Sequence, residues 1–239
     1  MERIELNRVV PEIFASRTDL SSDIWLRDIS FERGKSYLVH AASGTGKSSL
    51  CSYLYGQRGD YRGDILFDGD NIATYSTERW CDIRQRDVTI LFQDLRLFGE
   101  LTAMENVWIK NSITNIKSKA EIEILFEELG IGDKLNARID RMSFGQQQRV
   151  ALIRSLCQPF SFILLDEPIS HLDDKNSDIM RDVILREAKA QGAGIIATSS
   201  GTHMNIDYDL CLNLEILSGS CLENISASSS WQYSSLPTL

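Results

Sequence analysis

The stretch Ser43-Gly44-Thr45-Gly46-Lys47-Ser48-Ser49 limits what this chain can fold into more than any other. An apolar run, Tyr37-Leu38-Val39, leads into it, and a helical pattern from Leu50 to Tyr55 leads out. Strand, glycine-rich turn and a helix opening on Lys-Ser is the sequence form of a phosphate-binding loop. Glycines let backbone N–H groups turn onto phosphate oxygens with no Cβ in the way. The first-turn N–H groups of the following helix and its positive dipole end face the same anion. In such a loop Lys47 reaches the outer phosphates and the Ser48 hydroxyl ligates Mg²⁺. A glycine turn with a solvated lysine is the plainer alternative, so other stretches have to decide. One position departs from G-x-x-x-x-G-K-[ST], which asks for glycine where Ala41 stands. A Cβ at positive φ costs about 1–2 kcal/mol, so alanine fits there only at negative φ.

Composition narrows the partners. The net charge of −9 argues against non-specific attraction to nucleic acid or anionic lipid as what drives its localisation. Cations that do meet phosphate must therefore be local, as Lys47 would be. The five cysteines are scattered, with no C-x-x-C pair and no Cys/His spacing for a metal. They are expected to be reduced thiols in a cytosol. Met1-Glu2-Arg3-Ile4-Glu5 has no apolar signal core, and no run approaches the ~20 apolar residues of a membrane span. The expectation is a chain that neither is exported nor crosses a bilayer by itself.

Strand and helix patterns alternate around the loop. Ile24-Trp25-Leu26 and Ile29-Ser30-Phe31 read as antiparallel strands, and Gly63 to Gly69 as a strand closed by an Asp-Gly turn. Val88-Thr89-Ile90-Leu91-Phe92 has the continuous apolar character of a strand buried on both faces. From Leu95 to Met142 the pattern is helical, with Ile122, Leu125, Phe126 and Leu129 on one face and Gly130 as a stop. Strands return at Phe162–Leu165, Ala193–Thr198 and Leu210–Leu212, separated by helical patterns such as Ile179–Ala190. This order predicts an α/β fold whose parallel sheet has helices on both faces. Leu214 to Glu223 reads as a closing hairpin around Ser218-Gly219. The division expected is a core over 1–93 and 150–225, a helical insert over 94–149, and a mobile serine-rich tail over 226–239 in which Trp231 and Tyr233 could dock.

Two further stretches carry chemistry. Phe162-Ile163-Leu164-Leu165-Asp166-Glu167-Pro168 delivers two carboxylates to the C-terminal end of a buried strand, where ligands sit in open α/β sheets. Asp166 suits Mg²⁺, directly or through its water. Glu167 suits polarising an attacking water, a role worth about 10²- to 10⁴-fold in rate. Met142-Ser143-Phe144-Gly145-Gln146-Gln147-Gln148-Arg149-Val150-Ala151-Leu152 opens a second helix at a Ser/Gly turn, with a positive N-terminus suited to an anion. Residue patterns alone do not separate that reading from a well-capped helix with a glutamine-rich face.

The ordered set SGTGKSS at 43–49, Gln93 after its strand, MSFGQQQRVAL at 142–152, FILLDEP at 162–168 and Ser170-His171-Leu172-Asp173 resembles the ATP-binding subunit of an ABC transporter. The resemblance runs from about residue 20 to 223. LFQDLRLF at 91–98 and ELTAMENV at 100–107 are most similar to the small ATPases of lipoprotein release, macrolide export and cell division. It implies a P-loop NTPase core with a mostly parallel sheet, an N-terminal antiparallel β subdomain and an inserted helical subdomain. It also implies ATP and Mg²⁺ as ligands, and a head-to-tail pair of ATP-binding subunits, alike or different, that closes on ATP. Ser43, Gly44, Thr45, Gly46, Lys47, Ser48 and Ser49 would hold the phosphates of one subunit's nucleotide. Ser143, Gly145 and Gln146 would meet the γ-phosphate of the other's. Gln93 would sense Mg²⁺ and water and relay motion to the helical insert, whose surface near Phe98 and Leu101 would meet a separate membrane permease. Asp173 would cross to the opposite loop, and Phe14 would stack on adenine, a contact worth roughly 1–3 kcal/mol in nucleic-acid sites. The chain would then lie on the cytoplasmic face of the membrane through its permease, with no nucleic-acid partner.

Three positions depart from the family. Ala41 replaces a loop glycine, Phe144 replaces the first glycine of the L-S-G-G-Q signature, and Ser199 stands where the switch histidine is expected. Serine donates a hydrogen bond but is shorter and carries no positive charge. His203 would substitute only if its loop folds back, while His40 and His171 suit structural roles. The rival reading is a nucleotide-gated regulatory module with weak hydrolysis. A DNA-repair or translation ATPase ranks below it, because no coiled-coil insertion, second cassette or basic surface is present.

Overall fold

A computed structural model describes residues 1–18, 20–170 and 172–216. The first half of the chain runs β1 (Arg3–Pro11), β2 (Leu20–Ser22), β3 (Asp28–Glu32), β4 (Ser36–Ala41), α1 (Lys47–Leu54), β5 (Tyr61–Phe67), β6 (Asp70–Asn71), α2 (Thr77–Arg86) and β7 (Val88–Leu91). Then follow α3 (Ala103–Thr114), α4 (Lys119–Glu128), α5 (Phe144–Leu156), β8 (Phe162–Asp166), α6 (Asp174–Gln191), β9 (Gly194–Ser199) and β10 (Leu210–Ile216).

The strands form two sheets. An antiparallel one is ordered β3-β1-β5-β6, and a larger one β2-β10-β4-β9-β8-β7, parallel except for β2. Alternation along the central strands explains why both faces of the larger sheet are covered. Phe162 and Leu164 of β8 join a core with Ile4 and Leu6 of β1 and Leu50 and Leu54 of α1. Ile163 and Leu165 point the other way, into a core with Phe126 of α4, Val150 and Ile153 of α5, and Met180 and Ile184 of α6. A strand buried on both faces has no polar side to show, and β8 is buried at every position from Phe162 to Asp166. Its carboxylates are therefore carried to one fixed place, the sheet's C-terminal edge.

Several expectations hold. β7, β8, β9 and α6 lie where the patterns put them, and Asp68 (φ 50°) with Gly69 (φ 91°) makes the hairpin turn between β5 and β6. The strand read at Ile24-Trp25-Leu26 is instead a turn. The Ser22 hydroxyl accepts the N–H groups of Ile24 and Trp25, at 3.0 and 2.7 Å, and Leu26 holds φ 62°. Ile24 and Trp25 are buried all the same. Two elements carried no clear pattern. In β1, Arg8 (φ 52°) sits in a register shift between Asn7 and Val10 that breaks the alternation. In α2 only Ile83 is buried, so no apolar stripe announces a helix. Leu214, where the closing hairpin is expected to begin, lies in β10, whose last residues pair with β2. The rest of that hairpin, the tail with Trp231 and Tyr233, and His171 lie outside the described residues.

Candidate nucleotide site

β4 ends at Ala41, and the chain then wraps over the start of α1. Ala41 is not among the residues with positive φ, so the missing glycine costs no backbone strain. Gly44 (φ 82°) and Gly46 (φ 105°) are left-handed, and a Cβ on Gly46 would come within 3.0 Å of Trp25 and 3.4 Å of Phe14. The Trp25 indole N–H donates to the Thr45 carbonyl at 3.1 Å, and the Thr45 hydroxyl to the Ala42 carbonyl at 2.8 Å. The loop is thus held from below by a buried tryptophan and from within by its own threonine.

The cleft above it measures about 330 Å³ and is lined by Ile13, Phe14, Ser43, Gly44, Gly46, Lys47, Ser48, Ser49, Arg58, Gln93 and Glu167. Lys47 is 5% exposed; its Nζ donates to the carbonyls of Ala41 and Ala42, at 2.8 and 3.0 Å, and lies 3.3 Å from Glu167 Oε1. Gln93 bridges the floor, accepting from the Ser48 hydroxyl at 3.5 Å and donating to Glu167 Oε2 at 3.4 Å. Asp166 is 6% exposed and lines an adjoining hollow that shares Ser48 and Gln93. Burial raises its carboxyl above the ordinary 3.8, against hydrogen bonds from Ser48 and Thr198 that lower it.

Thr198 was not singled out by sequence, yet it joins both carboxylate residues. Its hydroxyl donates to Asp166 Oδ1 at 2.9 Å and accepts the Glu167 N–H at 3.2 Å. Glu167 itself holds φ 52°, a conformation costing a non-glycine residue about 1–2 kcal/mol. The signal available was position: Thr198 precedes Ser199 at the end of a strand that pairs with β8.

Other residues lie apart from the cleft. Ser143 and Gln146 cap α5 reciprocally: the serine hydroxyl accepts the Gln146 N–H at 3.3 Å, and Gln146 Oε1 accepts the Ser143 N–H at 3.0 Å. Phe144 follows on that helix start, 43% exposed, and Gly145 lies next to it. Asp173 caps α6 and is held below the ordinary carboxylate range by hydrogen bonds from Asn176, backbone first. None of Ser143, Gly145, Gln146 or Asp173 lines the phosphate-loop cleft. Phe14 does, but at 9% exposure it is nearly covered, while Ile13 beside it is 77% exposed. The Ser199 hydroxyl donates to the Thr202 carbonyl at 2.8 Å and accepts the Gly201 N–H at 3.1 Å. His203 is turned to the Met204 carbonyl and the edge of Tyr208.

A glycine loop around a buried lysine, two carboxylates at the adjoining strand end and a glutamine between them define a P-loop ATPase cassette. The family model described as ABC transporter matches residues 26–170, and the chain belongs to that family. An uncharacterized ABC transporter ATP-binding protein of Thermotoga maritima is 31% identical over 78% of this chain and 81% of its own. The lipoprotein-releasing system ATP-binding protein LolD of Shewanella denitrificans is 28% identical over 79% and 82%. Among solved structures, a dimeric ATP-binding cassette in a post-hydrolysis state bound to ADP and Pi superposes with a TM-score of 0.69 at 20% identity, over 83% of this chain and 88% of that one. A bacterial Atm1-family ABC exporter with ATP bound gives 0.72 at 22%, over 90% of this chain and 37% of the exporter. At these identities the structural likeness shows the fold. Among the described residues no helix is long and apolar enough to cross a membrane.

Proposed function

We propose that this chain binds and hydrolyses ATP as one of a pair of cassettes docked on a separate membrane permease, at the cytoplasmic face. The observation that carries this reading is the convergence of Lys47, Ser48, Gln93 and Glu167 on one cleft, with Asp166 in the adjoining hollow that shares Ser48 and Gln93. Ser48, Gln93 and Asp166 offer only oxygen donors, a set that suits Mg²⁺ shared with substrate phosphates. When bound, Mg²⁺ supplies charge neutralisation to the phosphates. Lys47 moves its ammonium from Glu167 and the loop carbonyls to the γ-phosphate. Glu167, released from Lys47 and steadied by Gln93, orients the attacking water. Catalysis of this kind is positioning and electrostatic stabilisation.

The paired arrangement is supported by where Ser143, Gly145 and Gln146 are not. They lie outside their own chain's cleft, on a helix start that a second subunit could present to it. Asp173 would cross the same boundary, and Phe14 with Ile13 would border the adenine. The permease would dock on the helical insert, proposed over 94–149 between core segments 1–93 and 150–225. There Phe98, Trp108, Ile109 and Ile113 are exposed. The loop that follows Gln93 is tied to α5 by Arg154, which donates to the carbonyls of Leu95 and Arg96 at 2.6 and 2.7 Å. Motion at Gln93 would thus reach the insert.

One observation favours the regulatory reading instead. The Ser199 hydroxyl is committed to its own loop and does not line the cleft, so the switch contact to the γ-phosphate would be weak. ATP turnover of the purified chain, followed against protein concentration, decides between them. For the hydrolysing pair, turnover climbs more steeply than linearly and disappears in Glu167→Gln. A chain that binds ATP yet stays inert until Ser199→His restores turnover would make the regulatory module the better account.

A further inference from the structure

Two cations line the phosphate-loop cleft, Lys47 and Arg58. Lys47 stands at the carboxylate end, beside Glu167. Arg58 stands at the other: its Nη1 donates to the hydroxyl of Ser49, the last residue of the loop motif, at 2.9 Å. The guanidinium is held on its remaining sides. Nε donates to Asp60 Oδ1 at 2.8 Å, Nη2 to Asp60 Oδ2, and the ring of Tyr53 lies 5.4 Å below the guanidinium carbon. Asp60 is anchored in turn, because its backbone carbonyl accepts both the Tyr53 hydroxyl, at 3.1 Å, and the Glu12 N–H, at 3.0 Å. That second bond ties the Arg58–Asp60 turn to the segment carrying Ile13 and Phe14.

This arrangement leaves one N–H on each terminal nitrogen of Arg58 with no partner among the described residues. We propose that Arg58, together with Ser49, grips the phosphate nearest the nucleoside, as a second phosphate ligand of the cleft. The placement rests on the nucleotide reading and follows from order along the loop. Lys47 and Ser48 lie with Gln93 and Glu167 at the reacting end, so the phosphate farthest from that end falls to Ser49 and Arg58. Guanidinium suits the task, since its fork matches phosphate oxygens where a lysine gives only a point charge. Asp60 and Tyr53 fix the rotamer beforehand, which reduces the entropy lost on binding. An exposed Arg–Asp pair with no ligand would by comparison stabilise the fold little.

The test is titration of the full chain with Mg²⁺-ATP and Mg²⁺-ADP at low salt, for the unaltered protein, Arg58→Gln, Arg58→Lys, Asp60→Asn and Lys47→Ala. Both nucleotides have the inner phosphate, so Arg58→Gln weakens ATP and ADP by the same factor, about tenfold for one charge-assisted contact at a partly exposed site. The effect shrinks as salt is raised. Arg58→Lys recovers part of the loss, and Asp60→Asn, which frees the guanidinium without removing it, costs about threefold. Should Arg58→Gln lose its thermal transition, the lysine and Asp60→Asn arms carry the test. ATP and ADP bound as tightly by Arg58→Gln as by the unaltered chain, with binding lost in Lys47→Ala, would overturn this role and leave the nucleotide site standing. Weakening confined to ATP would move Arg58 to the γ-phosphate and equally overturn it. Failure of the unaltered chain to bind either nucleotide would remove the nucleotide reading itself.

Discussion

The cleft and a neighbouring groove treat positive charge in opposite ways. In the cleft, Lys47 is buried against two backbone carbonyls and has the Glu167 carboxylate 3.3 Å away. The groove, lined among others by Tyr55, Phe92, Phe98, Lys110 and Arg154, holds the last two on backbone carbonyls, while Arg96, also in its lining, pairs with Asp94. Lys110 donates to the Arg84 carbonyl at 3.1 Å and Arg154 to those of Leu95 and Arg96; Arg84, outside the lining, donates to those of Tyr55 and Gly56 and lies over the Tyr55 and Trp80 rings. Among the described residues none of these three forms an ion pair with a carboxylate. Burial, with Arg154 adding to it, pushes Lys110 down to about 8. A buried ammonium is costly unless paired. The cleft meets that cost with a carboxylate that an arriving phosphate can replace, whereas the groove leaves it standing. Readiness for an anion therefore depends on what the cation is paired with while it waits.

Glu167→Gln breaks the comparison at its centre and has the largest expected effect. It takes the carboxylate from Lys47 and the base from the water together. Turnover should fall about 10²- to 10⁴-fold. ATP affinity should hold or improve, because no anion competes for Lys47 any longer. Single-turnover kinetics beside equilibrium binding separates the two. An unchanged rate would remove Glu167 from the chemistry.

Thr198→Val acts on the support beneath. It strips a hydrogen bond from buried Asp166 and leaves the Glu167 N–H without its acceptor. Unpaired buried groups cost about 1–3 kcal/mol each, so urea unfolding should show a loss of about 2 kcal/mol. The effect on stability should be easy to measure even with no nucleotide added. A midpoint unmoved from the unaltered chain's would mean that the hydroxyl bridge contributes nothing.

The cleft was largely legible in the sequence because its parts sit in contiguous motifs whose backbone form is itself encoded. Gly44 and Gly46 announce left-handed turns, and the apolar run 162–165 announces a strand whose end must carry Asp166 and Glu167 to the sheet's edge. What escaped was assembled across the chain. Thr198 acquires its role only through β9 lying beside β8, and Arg58 only through a turn pinned by Tyr53 and Glu12. Trp25 reads as a strand residue in sequence because burial and strand character look alike in one dimension; the Ser22 hydroxyl folds that stretch into a turn. The groove had no motif at all. Its Lys110 and Arg154 come from two different helices, α3 and α5.

Lys110→Met sharpens the comparison from the groove's side, with the smallest effect. The folded lysine titrates near 8 and the unfolded one near its ordinary 10.5. Below pH 8 both forms are charged, and the folded state bears the full cost of burying that charge. Between pH 8 and 10.5 the folded chain gives up its proton while the unfolded chain keeps it. Stability contributed by this site therefore rises with pH across that window. The difference in urea midpoint between Lys110→Met and the unaltered chain should favour the variant below pH 8 and narrow steadily above it. A difference that stays level through the window would mean that water reaches Lys110 well enough to hold its charge. The groove and the cleft would then differ in their partners but not in what those partners do to a buried cation.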